Sequence, residues 1–188
     1  AVLIGALAAS NYIHPSVAYS VTFDVDLILP AQDFTDFLND DIPADKLEIL
    51  DALFETSDST SHSLRHRKTR LYVDFLSEVS KPISTKLVRR VLENPDECTN
   101  TLTLNGSRLR ILKPELIIAM KLHRYAKSPR SEKALSDRLD IVKMLKTYHQ
   151  QPEILDPEQI REMIHRREIR YFEEMLEDVS CEMCGAEN

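Results

Sequence analysis

Ser20-Val21-Thr22-Phe23-Asp24-Val25-Asp26-Leu27-Ile28-Leu29 is the stretch on which the fold turns. Val21, Phe23, Val25, Leu27 and Leu29 alternate with Thr22, Asp24, Asp26 and Ile28. That period of two predicts a strand, which Pro30 stops. Asp24 and Asp26 then project from one face, while Phe23, Val25 and Leu27 point the other way, into a core. Two carboxylates so close repel each other unless a cation lies between them or solvent screens them. A third, Asp74, sits among apolar residues in Arg70-Leu71-Tyr72-Val73-Asp74-Phe75-Leu76, a second predicted strand. Aspartate is a poor strand former, so its place there asks for a reason. Taken singly, each acid has an ordinary explanation, as a solvated strand face or an edge position. Converging, the three make an oxygen-donor site for one or two divalent ions, Mg²⁺ or Mn²⁺.

Working outward, the apolar run Val2–Ile4 reads as a strand that turns at Gly5 into a helix over 6–13, closed by Pro15. Helices are expected over 33–38 and 46–54, the second capped by Asp45, and a polar loop over 56–68. Residues 85–92 form a further helix. Asn105-Gly106 between strands at 101–104 and 108–112 carries the type I′ hairpin signal. Beyond Pro114 the pattern is helical, over 115–127, 131–148 and 157–179, the last interrupted near Arg167. Strands therefore occupy residues 1–112, read as the core, and 113–188 form a C-terminal helical region packing on it. The layer pattern is α+β, with mixed α/β character.

Composition narrows the function. Of 188 residues, 43% are apolar and 29% charged, enough for a packed core. Only three are glycine (Gly5, Gly106, Gly185), where average usage gives roughly 13. This spacing excludes a Walker loop and a G-x-G-x-x-G turn. The net charge of −7 gives no global electrostatic case for nucleic-acid binding. No apolar run is long enough to span a bilayer. Ala1–Ser10 lacks the basic leader of a signal peptide. Three cysteines form no disulfide framework, so a reducing, cytoplasmic setting is expected.

Gly5, the helix after it and Ser20-Val21-Thr22-Phe23-Asp24-Val25-Asp26-Leu27 resemble the nucleotidyltransferase pattern, in which an apolar residue, Gly, Gly or Ser and a spacer precede D-h-D-h. Leu71-Tyr72-Val73-Asp74-Phe75 matches the later strand that brings the third carboxylate. The long spacer helix and Thr22 are closest to the AbiEii-like, abortive-infection branch, which includes toxin nucleotidyltransferases. Farther on, Ile111-Leu112-Lys113-Pro114-Glu115-Leu116-Ile117-Ile118-Ala119-Met120-Lys121-Leu122 is similar to that branch's strand leading into a helix with a functional Lys. Ser136-Asp137-Arg138-Leu139-Asp140-Ile141 is similar to its K/R-D-x-x-D helix motif. The resemblance runs over residues 2–145.

It implies a nucleotidyltransferase-like mixed sheet flanked by helices, an NTP substrate, and Mg²⁺ or Mn²⁺ held by Asp24, Asp26 and Asp74. These three and Lys121 would be catalytic. Gly5, Ala6, Thr22, Lys121, Asp137 and Asp140 would meet the nucleotide, with Asp140 orienting Lys121 or a nucleotide group. The acceptor would be RNA or tRNA, a protein or a small molecule, in a toxin–antitoxin or phage-defence role. Ala6, Ser20 and Ser136 depart from the pattern, standing for a second Gly or Ser, an Arg and a basic residue. A catalytically silent module that binds nucleotide, RNA or protein is the alternative.

The residues themselves leave choices open. Lys121 shares its helix surface with Ile117, Ile118 and Tyr125, which suits either a site or a lysine snorkelling at a core rim. Asp137 could pair with Lys133 on the helix surface. His62, Arg65, His66, Arg67, Lys68 and Arg70 form the densest basic run, either an acceptor surface for RNA or protein or a solvated loop. Arg161, Arg166, Arg167 and Arg170 alternate with glutamates, as on a charge-paired helix. Cys181-Glu182-Met183-Cys184 is half a zinc site and reads as a fraying end.

Overall fold

The computed structural model describes residues 1–17, 24–33, 44–56, 63–77 and 85–185. The chain folds into two compact units, one of Ala1–Leu7 and Val21–Ile111, the other of Ala8–Ser20 and Leu112–Asn188. Residues 8–20 thus fall in with the helical half of the chain.

The first unit is built on a seven-stranded sheet in the order β3-β4-β5-β2-β1-β7-β6. The strands are β1 (Val2–Ile4), β2 (Asp24–Ile28), β3 (Phe54–Thr56), β4 (Ser63–His66), β5 (Tyr72–Leu76), β6 (Thr99–Leu104) and β7 (Ser107–Leu112). The sheet is mixed: β1 runs antiparallel to β2 and parallel to β7, while β2 runs parallel to β5. Paired along both edges, β1 buries Val2, Leu3 and Ile4 alike, which is why it reads as an unbroken apolar run. The hairpin forms where Asn-Gly predicts it. Asn105 (φ 49°) and Gly106 (φ 81°) both adopt the left-handed conformation that a type I′ turn demands.

Short helices accompany these strands: α1 (Gly5–Ser10), α2 (Ala44–Leu53), α3 (Thr85–Glu93) and α4 (Pro95–Cys98). Val88 and Val91 of α3 are buried. The helix expected over 6–13 is tighter at its end. Asn11, Tyr12 and Ile13 donate to the carbonyls three residues back, so the α-pattern stops at Ser10. Asp45 lies in the first turn of α2 instead of capping it, where a carboxylate still complements the helix dipole. The helix expected over 33–38 falls almost wholly outside the described residues, as do Ser20, Thr22 and the start of the β2 alternation.

The polar stretch over 56–68 is a correction. It contains β4, and Phe54, expected to end a helix, instead opens β3. Leu64 is the one apolar residue of β4, buried at 6% exposure. Strand identity here comes from pairing with β5, Ser63 opposite Asp74 and Arg65 opposite Tyr72.

In the second unit α5 (Pro114–Lys127) packs on α6 (Glu132–Gln150), and both pack on α8 (Arg166–Gly185). A single 3₁₀ turn (Pro152–Ile154) and α7 (Pro157–Met163) lie between α6 and α8. Ser131 caps α6 by accepting from the Ala134 N–H. Asp156 caps α7, and its own N–H donates to Glu115 Oε1. The expected break near Arg167 falls at Ile164-His165. Glu168 marks it by accepting the His165 N–H, the reciprocal half of a capping box. Across the break Arg161 grips Glu173, a hydrogen bond that raises the guanidinium pKa. The end expected to fray is helical through Cys181 and Cys184, both exposed. Among the described residues no helix is long and apolar enough to cross a membrane.

Candidate metal-binding face

β2 and β5 lie side by side with Asp24 opposite Tyr72, Val25 opposite Val73 and Asp26 opposite Asp74. Opposed residues share a face, so Asp26 and Asp74 stand next to each other and Asp24 stands one pleat along. One oxygen from each of the three lies within 4.8 Å of the others.

Gly5 shapes this face from the neighbouring strand. Ile4 pairs with Asp26, and the chain then leaves the sheet at Gly5 with φ +74°. A Cβ on Gly5 would lie 1.8 Å from Asp26 Oδ2 and 2.7 Å from its Cγ. Such an approach is far inside van der Waals contact. The missing side chain is the space in which the Asp26 carboxylate sits. Ala6 follows in the first turn of α1.

Three carboxylates from two adjacent strands form an all-oxygen donor set, hard and anionic, of the kind that suits Mg²⁺ or Mn²⁺. Oxygens trans across one Mg²⁺ stand about 4.2 Å apart, so a spread within 4.8 Å fits one ion after a slight closing of side chains, or two ions sharing a ligand. Without a cation, mutual repulsion would oppose this packing. The residues present fit the metal that the sequence implies.

Lys121, Asp137 and Asp140 belong to the second unit and come together there. Lys121 Nζ donates to Asp140 Oδ2 at 2.7 Å and to Asp137 Oδ1 at 3.1 Å, with its side chain 3% exposed. Arg124 meets Asp137 with both Nε (2.8 Å) and Nη2 (2.6 Å). Two cations and two anions thus close a balanced quartet between α5 and α6. Asp137 takes these partners across helices, not Lys133 along its own helix.

The basic run meets an acid from another strand. Glu55 on β3 accepts from Arg70 Nη1 at 2.9 Å and lies 3.5 Å from Arg67 Nη1 and 3.8 Å from Arg65 Nη1. His62 lies outside the described residues. Tyr72 joins these residues, a neighbour the three carboxylates alone do not point to. Its distance of two residues from Asp74 already places it on the carboxylate face.

No protein-family model matches the sequence, and no curated protein does. Among solved structures, an antigenic nucleotidyltransferase-like protein from Paracoccidioides brasiliensis resembles the chain at a TM-score of 0.51 and 16% identity, over 86% of this chain and 76% of that one. At such identity the likeness shows the fold alone. The chain has a nucleotidyltransferase-like fold, a mixed seven-stranded sheet with accompanying helices.

Proposed function

We propose that the protein is a metal-dependent nucleotidyltransferase that moves a nucleoside monophosphate from an NTP to an acceptor hydroxyl, whose oxygen bonds the α-phosphorus as the α–β phosphoanhydride breaks and pyrophosphate leaves. The observation carrying this is the convergence of Asp24, Asp26 and Asp74 on one sheet face, with Gly5 cut away to admit Asp26. These three carboxylates hold Mg²⁺ or Mn²⁺, which when bound supplies Lewis-acid activation of the phosphate and of an acceptor hydroxyl. Asp26 and Asp74, half-buried, are fixed by the strand pairing, so their direction needs no reorganisation at the moment of reaction. Asp74, from its own strand, stands ready to receive the acceptor's proton. RNA, a protein or a small molecule serves as acceptor. An AbiEii-like lineage and a toxin or phage-defence role accompany this reading.

A second reading has one observation in its favour. Lys121, which the resemblance makes a phosphate-binding lysine, is engaged by Asp137 and Asp140. That suits a silent module binding nucleotide or partner through the same face. Incubation with each labelled NTP, cell RNA and lysate separates the two. The enzyme labels an acceptor, and Asp24→Asn with Asp26→Asn abolishes it; labelling that survives both changes sinks the proposal. Metal-dependent NTP binding without any labelled product selects the silent module.

A further inference from the structure

Strand register extends the carboxylate face sideways. Asp24 opposes Tyr72, Tyr72 opposes Arg65 and Arg65 opposes Glu55, so these four form one row across β2, β5, β4 and β3 on the face that carries Asp26 and Asp74. Arg65 stands two strands from Asp24, about 10 Å between backbones, with Tyr72 in the gap. The Arg65 guanidinium carbon lies 5.5 Å from the Tyr72 ring centroid, and Tyr72 is 38% exposed.

Arg65 is poorly matched among the described residues. Arg70 takes Glu55 by a true hydrogen bond, and Arg67 is anchored by donating from Nε to the Asp51 carbonyl at 2.9 Å. Arg65 has the 3.8 Å approach to Glu55, too long for a hydrogen bond. Its Nε is buried and has no hydrogen-bond partner. Natural proteins rarely leave such a donor orphaned, so the placing of this guanidinium asks for a reason. Three guanidinium groups around one carboxylate also leave the Glu55 end of this row cationic, while its Asp24 end is anionic.

We infer that Arg65, lying over the Tyr72 ring, is the phosphate-binding residue of the carboxylate face. The two Nη groups of a guanidinium, side by side, match two oxygens of a phosphate. The Tyr72 ring restrains the guanidinium over it and lowers the entropy lost on binding. The phosphate belongs either to the triphosphate held at the carboxylates or to the backbone of a nucleic-acid acceptor. The inference rests on the nucleotidyltransferase reading and adds to it the residue that meets the substrate's anionic part.

The test is a binding titration with the full chain, using Mn²⁺ alone, Mn²⁺ with tripolyphosphate, and a 12-nucleotide oligouridylate. Arg65→Gln weakens tripolyphosphate or oligouridylate binding by about 10- to 100-fold, the loss expected for a charge-assisted pair. Mn²⁺ affinity and the unfolding midpoint stay at wild-type values. Loss with tripolyphosphate assigns the phosphate to the nucleotide; loss with oligouridylate alone assigns it to the acceptor. Arg65→Lys, which keeps charge and the stem but not the fork, recovers part of the affinity and guards against a misfolded Gln variant. Unchanged binding of both probes by Arg65→Gln overturns the role of Arg65 while leaving the carboxylate site standing. A wild type that binds neither Mn²⁺ nor Mn²⁺-tripolyphosphate overturns both.

Discussion

Gly5 shows how much one absent side chain can decide. Its φ of +74° alone costs a non-glycine residue about 1–3 kcal/mol. A Cβ would also occupy the place of the Asp26 carboxylate. Gly5→Ala is therefore expected to damage metal binding beyond what it takes from stability. Mn²⁺ affinity should fall about tenfold or more, as when the supports of metal ligands are removed. Isothermal titration alongside a urea melt checks this. A variant that loses stability but binds Mn²⁺ normally would show that Asp26 has other room to stand. In a chain with three glycines, this one gives a carboxylate its seat, whereas Gly106 completes a turn whose added Cβ would meet nothing within 4 Å.

At the level of elements, the Lys121 quartet ties α5 to α6. Removing one partner from a buried ion cluster leaves uncompensated charge, at a cost of about 3–5 kcal/mol. Lys121→Met should lower stability by that amount in a denaturant melt. Adding Asp140→Asn to it, which leaves the Arg124–Asp137 pair balanced, should restore most of the loss. Failure of the double variant to recover would mean that the charges do more than balance one another. Asp140 orienting Lys121 is expected from the sequence, but the share of Asp137 and Arg124 in the cluster is not, because these groups lie on different helices whose contact no spacing rule reports. The same limit hid β4. Val2–Ile4, Asn105-Gly106 and Pro114 announce their elements locally through apolar runs and turn chemistry. Ser63–His66 has only Leu64 to show for a strand, and its extended form is imposed by neighbours. Register was equally out of reach: Asp26 faces Asp74 because β2 and β5 pair without offset.

For the molecule as a whole, ion binding at the carboxylates should appear as stability. At a free Mn²⁺ concentration one hundred times its dissociation constant, linkage supplies about 2.7 kcal/mol. For a chain of this size that raises the thermal midpoint by about 5–10 °C. Chelator should reverse the rise and Asp24→Asn with Asp26→Asn should abolish it; an equal rise in the double variant would place the ion elsewhere. The sheet's wiring carries one more consequence, for the order of events in folding. β1 takes one partner from early in the chain, Ile4 against Asp26, and the other from far along it, Val2 against Arg110. Loop closure over so long a stretch is entropically slow, and parallel pairing between distant strands sets a high contact order. On a ribosome, β2 and β1 can meet long before β7 has been made, so the carboxylates gather beside an open strand edge that only later synthesis closes.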